Sequence, residues 1–118
     1  MKYLKRFETK AELFGPKLIK SEAENYLPFL VDSGFDMFTR FYGKNQVLLI
    51  IDPERSFNWL DFKNDILAYL EFLNRMYNIE ITIFLDNEDE DEVTYTMSEL
   101  YDMESCDILS ISIVITKI

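Results

Sequence analysis

The hydrophobic pattern changes its period in the second half of the chain, and this change constrains the fold more than any other feature. Apolar residues recur at intervals of three and four between residues 59 and 76, which predicts a helix with one wide buried face, opened by Asn58 as its cap. The next segment, IEITIFLD (79–86), alternates apolar and polar residues as a half-buried strand does. The helix face carries Trp59, Phe62, Ile66, Tyr69, Leu70, Leu73 and Met76.

A second helix is predicted in SEAENYLPFLVDSGF, residues 21–35. Ser21 and Glu24 have the spacing of a capping box, which would start the helix at Ser21. Pro28 lacks a backbone donor, so it should kink this helix or divide it into two. Gly34 stands where a helix end favours a residue in the left-handed conformation.

Three further strands follow from the remaining apolar segments. FDMFTRFYGKNQVLLIID (35–52) predicts two strands around a turn at residues 43–45. DILSISIVITKI (107–118) predicts a last strand. Between the last two strands, VTYTM is β-prone and SELYDM could form one helical turn. One face of the last strand would carry Leu109, Ile111, Ile113 and Ile115.

The resulting order, α-β-β-α-β-β, predicts an α+β fold of two layers, with a mostly antiparallel four-stranded sheet and both helices on one face. This order is a circular permutation of the ferredoxin-like βαββαβ arrangement. We expect a single domain over residues 1–118, in which residues 1–16 form a basic amphipathic arm. If the last strand lies at a sheet edge, its proline-free length would invite pairing with a second chain, so a homo-oligomeric assembly protein is one functional alternative.

Several classes of chemistry find no support among the residue types. The chain has no histidine, which removes histidine bases and the commonest zinc ligands. Its three glycines are too scattered for a phosphate-binding loop, so no cofactor is expected. The single cysteine, Cys106, lies beside Glu104 and Asp107, which should raise its pKa, and we interpret it as structural. One cysteine and no apolar segment of membrane-spanning length predict a cytoplasmic location and no membrane contact.

The segment FLDNEDEDEVTY contains six acids within seven positions: Asp86, Glu88, Asp89, Glu90, Asp91 and Glu92. It is not an EF-hand loop, because Asp91 stands where glycine is required and Met97 where a bidentate glutamate is required. An extended segment would place alternate acids at a spacing of about 6.6 Å, close to the through-space distance between successive phosphates along the backbone of a nucleic-acid strand. The segment is therefore either a solvated loop or the charged edge of a binding face.

The net charge of −10 is unevenly distributed along the chain. Residues 1–59 carry a net charge of +1 and residues 60–118 a net charge of −11. A field of this sign disfavours direct binding of nucleic acid and favours encounter with a basic protein surface, although excess charge also serves solubility. Asp102, Glu104 and Asp107 could extend the acidic face formed by residues 86–92.

Two other sets of residues deserve a functional hypothesis. Asp52 and Asp86 each end a predicted strand, and with Glu54 they could hold a magnesium or manganese ion if those strands were parallel neighbours, which would give a metal-dependent enzyme. Phe38, Arg40 and Tyr42 share one face of the first strand. They form either a covered face or an exposed aromatic interface for a protein partner.

The opening MKYLKRFE, together with the acidic, tyrosine- and phenylalanine-rich, histidine-free composition, resembles small acidic proteins encoded by tailed bacteriophages. The resemblance implies a virion-associated or accessory structural protein, or a small inhibitor of a host defence or host enzyme. We therefore expect a non-enzymatic interaction protein of phage type, whose acidic half docks on a basic groove of a nucleic-acid-handling partner such as a CRISPR effector.

Overall fold

A computed structural model describes residues 14–86 and 92–118, which form a mixed α+β fold with four helices and an antiparallel sheet. The helices are α1 (Pro16–Tyr26), α2 (Pro28–Asp32), α3 (Trp59–Met76) and α4 (Met97–Asp102). The strands are β1 (Asp36–Gly43), β2 (Gln46–Asp52), β3 (Phe57–Asn58), β4 (Tyr77–Leu85), β5 (Glu92–Tyr95) and β6 (Asp107–Lys117). Most of the predicted N-terminal arm, residues 1–13, lies outside the described residues.

The first helical segment begins earlier than its sequence pattern predicts. Pro16 is the first residue of α1, a position where its missing N–H group costs nothing. Ser21 therefore lies inside α1, and the predicted capping box of Ser21 and Glu24 is wrong. The effect of Pro28 is confirmed, since the chain divides at Leu27 into α1 and α2. Gly34 follows α2 with a φ of 89°, in the left-handed region that favours glycine.

The sheet contains all four predicted strands, as β1, β2, β4 and β6, together with two strands that the prediction omitted. Five strands follow the order β1-β2-β6-β4-β5, with antiparallel neighbours throughout, and β3 pairs with the start of β6. The predicted number of four strands is therefore wrong. β3 is only two residues long, too short for a hydrophobic alternation to reveal it, whereas the four residues of β5 overlap the β-prone segment VTYTM, which the predicted number of strands did not include.

The last strand, β6, lies in the middle of the sheet. It pairs with β2 on one side and with β4 on the other over most of its length. Both rows of its backbone donors and acceptors are therefore used within the chain. The last strand, DILSISIVITKI, is therefore not at a sheet edge, the position from which it could have paired with a second chain.

A bulge in β6 changes which side chains face the core. In β4, Phe84 is opposite Ser110 and Leu85 is opposite Ile108, so Leu109 has no counterpart. Because the extra residue reverses the alternation, Ile108 is fully buried, whereas Leu109 is 41 % exposed. The predicted core position of Leu109 is therefore wrong. The predicted core positions of Ile111, Ile113 and Ile115 are confirmed, since all three are buried.

One face of the sheet carries the helices. The hydroxyl group of Thr39, in β1, donates a hydrogen bond to the Pro16 carbonyl at the start of α1 (2.9 Å). The apolar face of α3 is buried in the core as predicted, except that Phe62 is half-buried and Met76, the last residue, is 53 % exposed. Within the described ranges no helix is long and apolar enough to cross a membrane. The core between the layers includes Ile19, Ala23, Val47, Leu49, Ile51, Trp59, Ile66, Leu70, Leu73, Ile81, Ile83 and Ile113.

The cap of α3 is expected to contribute measurably to stability. The Asn58 side chain accepts a hydrogen bond from the Leu60 backbone (3.0 Å) and donates one to the Ser105 hydroxyl (2.7 Å). Asn58→Ala should lower the free energy of unfolding by about 1 kcal/mol, measured by urea denaturation. The matched variant Asn64→Ala, at an exposed position inside α3, should change it by less than about 0.5 kcal/mol. Equal losses in both variants would contradict a role for the cap.

Candidate functional site

An acidic residue stands at the same end of all five strands along the main path of the sheet. β1, β5 and β6 begin at Asp36, Glu92 and Asp107. β2 ends at Asp52, and Asp86 directly follows β4. Since neighbouring strands are antiparallel, the starts of three strands and the ends of two lie at one end of the sheet. We call Asp36, Asp52, Asp86, Glu92 and Asp107 the acidic end.

Backbone contacts fix parts of the acidic end in register. The Asp86 N–H group donates to the Asp107 carbonyl (3.0 Å), which joins the ends of β4 and β6. Asp36 is directly opposite Asp52 in the β1–β2 pair. Like charges directly opposite each other destabilise a strand pair, so this pair favours the approach of a cation.

The opposite end of the sheet carries lysines. Lys44 lies in the turn between β1 and β2, and Lys117 ends β6, where its N–H group donates to the Asn45 carbonyl (2.9 Å). Cations also occur near the acidic end, at Arg55 in the loop after β2 and at Lys63, which donates to the Tyr101 carbonyl (2.6 Å). The strand ends themselves, however, separate carboxylates from lysines.

The segment that leads into β6 brings the predicted residues Asp102 and Glu104 close to the acidic end along the chain. Both are exposed, and Glu104 is three residues before Asp107. The segment is held against the start of α3, because the Trp59 N–H group donates to the Cys106 carbonyl (2.9 Å). Asp102 and Glu104 therefore precede Asp107 in a segment with fixed backbone contacts.

A capping box that the sequence interpretation missed begins α4. The Glu99 N–H group donates to the Thr96 hydroxyl (3.2 Å), and the Thr96 N–H group donates to the Glu99 carboxylate (3.0 Å). Hydrogen bonds from the backbone and then from the side chain of Thr96 lower the pKa of Glu99. The spacing T-x-x-E is the sequence signal that could have predicted this helix start.

The central part of the predicted acidic run is not described. Glu88, Asp89, Glu90 and Asp91 lie outside the described residues. The first member of the run, Asp86, is exposed, and the last, Glu92, opens β5 opposite Phe84.

The arrangement of the strands does not support the proposed metal site. β2 and β4 run parallel to each other, but β6 lies between them, so the condition for the metal site, that the two strands are neighbours, is not met. Two strand spacings separate Asp52 from Asp86 by about 10 Å. Among the described residues, no group of three or more cysteine or acidic side chains is arranged to hold a metal ion.

The predicted aromatic patch lies on the sheet face opposite the helices. Phe38 is 52 % exposed and Tyr42 is 55 % exposed, while Arg40 lies between them along β1. The Arg40 guanidinium carbon is 5.8 Å from the centre of the Tyr42 ring, in a cation–π contact. The structure thus brings the three side chains together on one face.

A cavity of about 340 Å³ opens beside the acidic end. Its apolar wall consists of Phe35, Phe57 and Phe62, whose ring centres are 5.1–5.8 Å apart. Glu54 and Arg55 are polar residues of its lining. The three phenylalanines come from three separate segments, so no local sequence pattern indicates this cavity.

Comparison with known proteins assigns the chain to no family. No protein-family model, no curated protein and no solved structure matches the chain. The resemblance to phage proteins therefore stays a prediction.

Cys106 should react slowly with thiol reagents. It is half-buried against the core, and burial first, then the charge of Asp107, raises the pKa of its thiol. A raised pKa leaves less thiolate at a given pH, so its reaction with Ellman's reagent at pH 8 should be on the order of tenfold slower than that of an exposed cysteine.

The reference variant for this comparison is Asn74→Cys in a Cys106→Ser background, at an exposed position of α3. The rate at Cys106 should keep rising at pH values where the reference has reached its plateau. A faster reaction at Cys106 than at position 74 would instead indicate an activated thiol.

Proposed function

We propose that this protein is a non-enzymatic interaction module whose acidic end docks on the basic surface of a nucleic-acid-handling protein. The observation that carries the proposal is the acidic residue at the same end of all five main strands. Asp102 and Glu104 extend this surface along the segment before β6. The acidic half of the chain, with its net charge of −11, supplies the long-range field.

The segregation of charge favours a binding role over a role in solubility alone. Net charge keeps a protein soluble wherever on the surface the charges lie. Solubility therefore does not require carboxylates at one end of the sheet and lysines at the other. The acidic end also keeps Asp36 opposite Asp52, at a cost in stability that a basic partner would offset. An arrangement that disfavours the isolated protein and favours a complex is typical of a binding surface.

The spacing of the acids is compatible with imitation of a nucleic-acid strand. Neighbouring strands are about 4.8 Å apart, so five strand ends extend over about 19 Å. One strand of a duplex presents a phosphate about every 3.4 Å along its axis, which gives five or so phosphates over the same length. A groove that binds a nucleic-acid backbone would therefore meet a similar number of charges.

The cavity near the acidic end offers an apolar contact beside these charges. Its phenylalanine wall can receive an aliphatic or aromatic side chain of the partner, and such buried anchors usually supply most of the affinity of an interface. The surrounding carboxylates would then contribute specificity and association rate.

The composition supports a particular biological setting. A phage-encoded inhibitor of host defence, for example of a CRISPR effector, would gain from an acidic face that competes with nucleic acid for a basic groove. Direct binding of nucleic acid by this chain is disfavoured by the same charges.

We also propose that the fold is a circular permutation of the ferredoxin-like arrangement. The four long strands lie in the order β1-β2-β6-β4, all antiparallel, which is the order that this permutation generates. β3 and β5 are then additions to that sheet. The assignment concerns topology and does not select a function.

Neutralising acids at and beside the acidic end should strongly reduce partner capture. The test variant combines Asp86→Asn, Asp102→Asn and Glu104→Gln, and the matched control combines Glu24→Gln, Glu71→Gln and Glu80→Gln at exposed positions elsewhere. Each protein is immobilised and exposed to a nuclease-treated bacterial lysate, and bound proteins are quantified by mass spectrometry. The test variant should lose at least about tenfold of the specific partner, whereas the control should retain it.

Competition and salt provide the second part of this experiment. Added double-stranded DNA should displace the captured protein, and raising sodium chloride from about 50 to about 300 mM should reduce capture steeply because exposed charges are screened. Salt-insensitive capture, or equal capture by the test variant, would overturn the proposed role of the acidic end.

A further inference from the structure

β1 is an edge strand that lacks lysine and proline, two common protections against pairing. Within the described residues it pairs only with β2, and it lies at the end of the strand order. Edge strands commonly carry lysine or proline to prevent association. The β1 sequence, DMFTRFYG, contains neither. Its only irregularity, between Phe41 and Gly43, leaves residues 36–41 regular.

The side chains of β1 are unusually apolar for an exposed edge. Phe38 and Tyr42 lie on the face opposite the helices, 52 % and 55 % exposed, and Phe41 lies on the helix face, 68 % exposed. A second strand along this edge would cover aromatic surface on both faces of the sheet at once. The edge thus offers apolar side chains together with backbone groups that no other described strand pairs with.

We propose that two copies of the chain associate through β1, antiparallel to each other, with Phe38 on the two-fold axis. In this register, Asp36 of each copy is directly opposite Arg40 of the other, so the dimer contains two reciprocal ion pairs. Phe38 is opposite Phe38 of the second copy, and Phe41 is opposite Phe35. The two sheets then form one continuous antiparallel sheet.

Charge selects this register over its neighbours. A shift that centres the pair on Thr39 places Arg40 opposite Phe38 and leaves both charges without a counterpart. A shift that centres it on Arg40 places two arginines opposite each other, which is unfavourable. A shift of the β1–β1 register by one residue would put the helices of the two copies on opposite faces of the joined sheet. Only the register centred on Phe38 pairs Asp36 with Arg40 twice.

The ion pair also relieves the like-charge contact within one chain. Asp36 has Asp52 on its β2 side, so a cation on its free side reduces the repulsion between the two carboxylates. The two-fold axis directs the acidic ends of the two copies in opposite directions. Asp86 and Asp107, both exposed in one copy, stay accessible, and the dimer could engage basic partners at both of its ends.

A charge-swap experiment tests this interface. The dissociation constant of the dimer is measured by analytical ultracentrifugation and light scattering, where a monomer has a mass of 14.1 kDa. Asp36→Arg and Arg40→Asp should each weaken the dimer at least tenfold, because each places like charges opposite each other. The double variant Asp36→Arg with Arg40→Asp should return to within about threefold of the wild type. Glu80→Arg, on β4 away from the edge, should leave the dimer unchanged.

A cross-link tests the register even if a charge variant folds poorly. In a Cys106→Ser background, Phe38→Cys should form an intermolecular disulfide on mild oxidation, because directly opposite side chains lie within reach of a disulfide. Tyr42→Cys should not, since it lies four residues from the axis. A monomeric wild type at about 200 μM, failure of the double variant to restore association, or equal cross-linking at positions 38 and 42 would overturn the proposal.

Discussion

The pairing of β6 on both of its edges holds the fold together. β6 is formed by the last residues of the chain, yet it joins β2 from the first half to β4 from the second. Val47 is opposite Ile115, which in turn is opposite Ile79, so the central ladder connects residues far apart in the sequence. The helices then cover a face whose isoleucines are aligned by this register. Without β6 the sheet would separate into two hairpins, each too small to bury a core of its own.

The same pairing creates the surface that we propose for docking. Asp36, Asp52, Asp86 and Asp107 are distributed along the sequence, and none of them is unusual in its local context. They meet at one end of the sheet because β6 is antiparallel to both of its neighbours. The charge pattern of the surface is therefore a consequence of strand direction. The edge at β1 has a similar origin, since the strand becomes an edge only because β6 occupies the centre.

Features that depend on neighbouring residues were predictable from the sequence. The division at Pro28, the turn around Asn45 and the start of α3 at Asn58 all follow from local backbone chemistry. The capping role of Ser21 was wrong because Pro16 provides an earlier start. Of the candidate surface, the sequence indicated an acidic face that includes Asp86, Glu92 and Asp107. It assigned Asp52 only to a metal site and gave Asp36 no role. No local pattern in the sequence predicted the phenylalanine-lined cavity.

By itself, the sequence determined the mixed α+β class and most of the core, because hydrophobic periods of 3.6 and 2 specify local structure and its buried face. It could not determine the position of β6, the bulge that exposes Leu109 or the order of the strands. These depend on which backbone groups far apart in the sequence pair with each other, and many apolar strands are equally suitable partners. Which strands pair was decided only in the tertiary structure. That pairing places the carboxylates at one end of the sheet and β1 at its edge.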